Sequence, residues 1–108
     1  MSGEMYVDQT LSLFIPRVFT NITSEYIRNI IDKHEYGEVK YIDMIPKVDH
    51  KGRKYNMVYI RFHYWYDTEI VHNFQKRVLN PVKEARIVYD DPYYWVVRQN
   101  KYTPHNNF

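Results

Sequence analysis

The sequence predicts an α+β domain in which two helices cover one face of an antiparallel sheet and leave the other face open. Three observations carry this expectation. Residues 55 to 65 read YNMVYIRFHYW, and a strand turns successive side chains to opposite faces. Val58, Ile60 and Phe62 then share an apolar face, while Tyr55, Met57, Tyr59, Arg61 and His63 share the other. Two segments repeat apolar residues at helical spacing: Ile27, Ile30 and Ile31 in one, Val71, Phe74 and Val78 in the other. The segments follow one another as β-α-β-β-α-β, with an extra short strand before the last.

Each element has its own signals. Residues 1–11 are polar and short of pattern, so they are expected to form a loose N-terminal arm. SLFIPRV, residues 12 to 18, is a short strand with Leu13 and Ile15 towards the core and Phe14 on the opposite side; Pro16 suits a strand end or edge. In the first helix Thr23 or Ser24 caps the start, Glu25 suits the first turn, and Gly37 is expected as the stop. EVKYIDMIPK, residues 38 to 47, is a second strand. Its core residues Val39, Ile42 and Met44 change parity, which requires an irregularity after Val39. VDHKGRK is a basic turn around Gly52. Asp67 or Thr68 caps the second helix, and Asn80 and Pro81 end it. ARIVY (85 to 89) and YYWVVR (93 to 98) are strands on either side of a DDP turn, and residues 99–108 are expected as a C-terminal tail. The order describes one domain over 12–98 with the split βαβ, ferredoxin-like plan.

Composition narrows the classes. The chain has 108 residues, enough for one core, and no Cys, which excludes disulfides and thiolate metal sites. No run reaches the roughly 18 apolar residues of a membrane span, and MSGEMYVDQT carries no secretory signal pattern, so an intracellular setting is expected. Net charge is +2, a mild lean towards polyanions. Tyr occurs 12 times and Gly 3 times, a bias towards residues with AT-rich codons.

Over residues 12 to 98 the chain resembles an RNA recognition motif (RRM). The short motif of that family, aliphatic-aromatic-aliphatic on the first strand, is matched by Leu13, Phe14 and Ile15. The long motif aligns with Tyr55, Asn56, Met57, Val58, Tyr59, Ile60, Arg61 and Phe62. HEYGEV resembles the family's junction after the first helix, and YDTEIVHNF its second-helix start. The long motif departs in three places: Tyr55 stands where a basic residue is usual, with Arg53 and Lys54 just before it, Asn56 where Gly is usual, and Met57 where a ring is usual. LFIPRVF, YWYD and EARIVYDDPYYW are also similar to small RRM-like proteins of large DNA viruses. That similarity implies the cytoplasm or nucleus of a host cell, or a virion.

The resemblance implies a non-catalytic module that binds single-stranded RNA, or single-stranded DNA, through its open sheet face. Phe14 and Tyr59 would stack bases, and Met57, Tyr55 and Tyr41 would extend the platform. Arg61, Lys54, Arg53 and Arg98 would contact phosphate or base edges, with Lys47, Lys51 and Lys101 extending the positive path. The alternative is a protein-interaction or homodimerisation module using the same rings, which bury large area at low entropic cost. Trp95 is expected in or at the edge of the core, and Tyr64 and Trp65 beneath the second helix. The five histidines, His34, His50, His63, His72 and His105, have no zinc-motif spacing, so no metal or other cofactor is expected. Asp90 and Asp91 before Pro92 read as a turn. Arg17 and Asn56 faintly resemble the phosphate-holding pair of acylphosphatases, but IPRVFTNIT lacks the glycine-rich cradle, so no enzyme is expected.

Overall fold

The computed structural model describes residues 6–101. Seven elements follow one another: β1 (Leu13–Val18), α1 (Ser24–His34), β2 (Gly37–Val48), β3 (Lys54–Trp65), α2 (Glu69–Leu79), β4 (Ala85–Asp90) and β5 (Tyr93–Gln99). The strands form one antiparallel sheet in the order β2-β3-β1-β5-β4. This differs from a four-stranded split βαβ sheet. The last strand, β5, lies beside β1, and the added strand β4 pairs outside it as an edge. The α+β expectation therefore holds, with a wider sheet.

Alternation places the core. Leu13, Ile15, Val58, Ile60 and Ile87 are fully buried on one sheet face. They join Ile27 and Ile31 of α1 and Val71 of α2 in a single apolar cluster. Burying each such side chain contributes about 1.5–3 kcal/mol, so this face fixes the register of every strand. Both helices start on a threonine. Thr23 Oγ1 accepts from the Tyr26 amide at 3.0 Å, and Thr68 Oγ1 from the Val71 amide at 3.2 Å. Each cap is worth roughly 1 kcal/mol.

The irregularity expected after Val39 is present. The β2–β3 register shifts on either side of Val39, and beyond it Ile42 and Met44 pack against the core. A bulge leaves ladder groups unpaired. Here Arg28 of α1 reaches across and donates to the Val39 carbonyl at 3.0 Å.

Two expectations are corrected. The first helix does not stop on Gly37. Glu35 ends it in the left-handed region (φ 59, ψ 45), its amide donating to the Asp32 carbonyl, and Gly37 begins β2. Nor are residues 6–11 loose. Val7 and Leu11 are buried. Gln75, a buried polar residue on the apolar side of α2, accepts from the Asp8 amide at 2.8 Å and donates to the Asp8 carbonyl at 3.0 Å. Gln9 exchanges two hydrogen bonds with the Trp65 backbone, and His72 Nδ1 donates to the Tyr6 carbonyl. This segment runs along α2 and the end of β3. Residues 1–5 and 102–108, with His105 and most of the expected tail, lie outside the described residues; Gln99 belongs to β5 and Asn100 donates to the Ser12 carbonyl.

Trp65 and Trp95 are both buried, as expected. Tyr64, expected beside Trp65 under the helix, is instead exposed and sits by Tyr66. No helix among the described residues is long and apolar enough to cross a membrane.

Candidate nucleic-acid interface on the open sheet face

The face away from the helices is built by the residues that alternate with the core. On β3 these are Tyr55, Met57, Tyr59, Arg61 and His63. Their partners on β2 are Lys47 opposite Tyr55, Ile45 opposite Met57, Asp43 opposite Tyr59 and Tyr41 opposite Arg61. On β1 Phe14 pairs directly with Tyr59, and on β5 Arg98 pairs with Phe14. One row across four strands therefore reads Asp43, Tyr59, Phe14, Arg98. With strands about 4.8 Å apart the row is roughly 14 Å long.

At its centre the Phe14 and Tyr59 rings lie 5.0 Å apart at 24°, an offset stack. Each ring covers part of one face of the other and both remain half-buried. Neither is sunk beneath the N-terminal segment, whose hydrogen bonds go to α2 and the end of β3. Arg61 is held in place, its Nε donating to Tyr41 Oη at 3.1 Å. Arg98 is exposed beside Phe14. Met57, half-buried, extends the platform one pair along β3. Further along β5 and β4, Arg86 lies over the Tyr94 ring at 4.2 Å. The outward residues of the sheet thus include Lys47, Arg61 and Arg98 against Asp43, while Arg86 is ion-paired with Glu84 at 2.6 Å.

The β2–β3 turn is organised differently from the sequence expectation. Asp49 is its hub. Its carboxylate accepts from the Lys51 and Arg53 amides at 2.9 Å each, from Arg53 Nε at 3.1 Å and from Arg17 Nη2 at 2.9 Å. The Arg17 guanidinium, drawn over from β1, covers the Tyr55 ring at 4.2 Å. Arg53 is therefore paired with a carboxylate, and it stands six residues from Tyr59, about 20 Å along the strand at ~3.3 Å per residue. Lys54 falls on the opposite side of β3 from Tyr55 by alternation. Of the expected residues, Phe14, Tyr41, Met57, Tyr59, Arg61 and Arg98 are gathered on one surface. Tyr55 lies at its edge beneath Arg17, and Arg53 and Lys54 stand apart. Asp49 was missed. Its signal was present, since Asp two residues before Lys-Gly-Arg is the pattern of a side chain bonding the backbone ahead of it.

Asp49 is held well below the usual carboxylate range, first by the Arg53 amide and also by Arg17, the Lys51 amide and the Arg53 side chain. A depressed folded pKa stabilises the fold above the ordinary carboxyl value of about 4, and the contribution is lost as pH falls below it. Protection of the Lys51 and Arg53 amides, taken relative to their intrinsic exchange rates at each pH, is therefore expected to be highest near neutral pH and to fall as acid protonates Asp49. Asp49→Asn should show the lowered protection already at pH 7, with the core amides unchanged.

Comparisons of the chain with protein-family models, with curated proteins and with solved structures find no match. Among the described residues no group of three or more His, Cys, Asp or Glu is placed to hold a metal ion.

Proposed function

We propose that the chain is a ferredoxin-like, RRM-type module with an added edge strand, and that it binds single-stranded nucleic acid without catalysis. The observation that supports this most is the half-buried Phe14–Tyr59 pair at the middle of the open sheet, between Arg98 and the Tyr41-oriented Arg61. Ring faces accept unpaired bases of any sequence, contributing about 1–3 kcal/mol per stacked base. Arg61, Arg98 and Lys47 would meet phosphates. Along the Asp43–Tyr59–Phe14–Arg98 row, a phosphate is favoured at the Arg98 end and disfavoured beside Asp43.

Fluorescence anisotropy with labelled eight-nucleotide single strands of RNA and DNA tests the reading. Binding in moderate salt is expected to weaken about 5-fold or more in Phe14→Ala and again in Tyr59→Ala. With about three phosphate contacts, the logarithm of affinity should fall with the logarithm of salt concentration with a slope near −2. Absence of binding at tens of micromolar, or affinity unchanged in the double variant, would count against it. A second reading, a protein or homodimer contact through the same face, is favoured by the exposed Ile45, Val88 and Tyr94 on its outward side. A stable dimer in light scattering that Tyr59→Glu dissociates would select it.

A further inference from the structure

The Asp43–Tyr59–Phe14–Arg98 row ends in opposite charges. Asp43 stands on β2 directly opposite Tyr59, and Arg98 on β5 opposite Phe14. Ile42 and Met44 on either side of Asp43 pack against the core, so its side chain projects from the open face, where it is exposed. Among the described residues its carboxylate has no ion-pair or hydrogen-bond partner. Arg61, diagonal to it across the β2–β3 pair, turns its Nε to Tyr41 Oη at 3.1 Å instead.

An unpartnered carboxylate beside the central ring pair weakens a surface that has only phosphates to hold. Protection of the β2 edge does not require it, because β2 already carries the exposed Lys40 and Lys47 and also Pro46, which lacks a backbone donor. What distinguishes Asp43 is what it accepts. An ionised carboxylate offers acceptors alone, two oxygens side by side. A base stacked on Tyr59 with its Watson–Crick edge towards β2 would meet them. Guanine presents two adjacent donors on that edge, N1–H and the N2 amino group, and fits both oxygens. Adenine and cytosine each present one amino donor next to a ring-nitrogen acceptor, which the second oxygen repels. Uracil and thymine present one N–H between two carbonyls.

We infer that Asp43 is a specificity-determining residue that selects guanine at the Tyr59 position. This rests on the nucleic-acid reading above and deepens it. The row supplies the matching order: a carboxylate for the base edge, the Tyr59 ring for the base plane, Phe14 next to it, and Arg98 for the phosphate. The nucleotide then lies across the strands, its base edge towards Asp43 and its phosphate towards Arg98. The same carboxylate that disfavours a phosphate at its end of the row thereby sets the orientation of the nucleotide as well as its identity.

Fluorescence anisotropy of the full chain tests the assignment. The probes are eight-nucleotide uracil strands, as RNA and as DNA, each carrying one central guanine, adenine, cytosine or hypoxanthine. The guanine strand is expected to bind about 10-fold tighter than the adenine and cytosine strands. Hypoxanthine, which keeps N1–H and lacks the N2 amino group, should fall between. Asp43→Ala, at an exposed position, should reduce the guanine preference to about 2-fold or less. Its affinity for the adenine and cytosine strands should be equal or higher, since a negative charge is gone. Asp43→Asn, which trades one acceptor oxygen for a donor at nearly constant shape, should lose the preference as well. Equal affinity for the four strands, or a guanine preference that survives in both variants, would overturn the assignment and leave the binding reading standing. Failure of every strand to bind at tens of micromolar would remove the binding reading and this assignment with it.

Discussion

Trp65→Ala is expected to leave the domain barely folded at 25 °C, with a loss of about 3–5 kcal/mol from a total of about 5–15 kcal/mol. Trp65 is 2% exposed. Its ring stacks on Phe62 at 3.9 Å and approaches Phe74 of α2 at 6.2 Å and Tyr36 at 6.5 Å. It therefore fills the junction between the end of β3, the start of β2 and α2. Truncation would open a cavity there, and cavity cost adds to the lost transfer energy. The same residue anchors the N-terminal segment. Its Nε1 donates to the Leu11 carbonyl at 2.9 Å, and its backbone holds the Gln9 amide. The alanine variant should show a lower urea midpoint and faster proteolysis within residues 6–11. Trp65→Phe, which keeps a ring but loses the donor, should fall between. A loss below about 1 kcal/mol in the alanine variant would contradict this packing.

Gly37→Ala is the second large effect, expected at about 3 kcal/mol. A Cβ at Gly37 would collide with the Tyr64 carbonyl oxygen and lie 2.8 Å from Trp65 Cα. Both are backbone atoms of β3, so no rotamer change relieves the contact and the first β2–β3 pair must separate. The Tyr66 amide, which donates to the Tyr36 carbonyl at 3.0 Å, continues the same ladder and would be lost with it. Gly52 gives a contrast. An added Cβ there meets nothing within 4 Å, but φ is +81, so alanine should cost only about 1–2 kcal/mol of backbone strain. Denaturant midpoints of the two variants side by side separate a steric from a conformational need for glycine. Similar small losses in both would contradict the close approach at Gly37.

These residues also show what was readable in the chain. The strands and helices were legible because one face of each is buried, and burial writes a period of two or of 3.6 into the residues. Even the bulge was legible, since Val39 and Ile42 cannot share a face without one. Gly37 was misassigned because a glycine after a helix fits two needs. Here the steric need of the β2–β3 pair takes it, and Glu35 adopts the left-handed turn at some cost. The docking of residues 6–11 left no local trace. Gln75 interrupts an apolar stripe, but its partner Asp8 is 67 positions away. The ring face was legible from β3 alone, and the pairing of Phe14 with Tyr59 followed from placing their strands side by side. The approach of Phe19 and Tyr26 to Tyr89 and Tyr93 was not, because these rings come from separate segments of the chain.

The most direct test of the open face is a chemical-shift map of the full chain titrated with an eight-nucleotide single strand. The account predicts saturable shifts concentrated at Phe14, Met57, Tyr59, Arg61 and Arg98, with α1 and α2 silent and the shifts abolished in the Phe14→Ala, Tyr59→Ala double variant. Shifts confined to the helices, or none on β1 and β3 at saturating oligonucleotide, would contradict it.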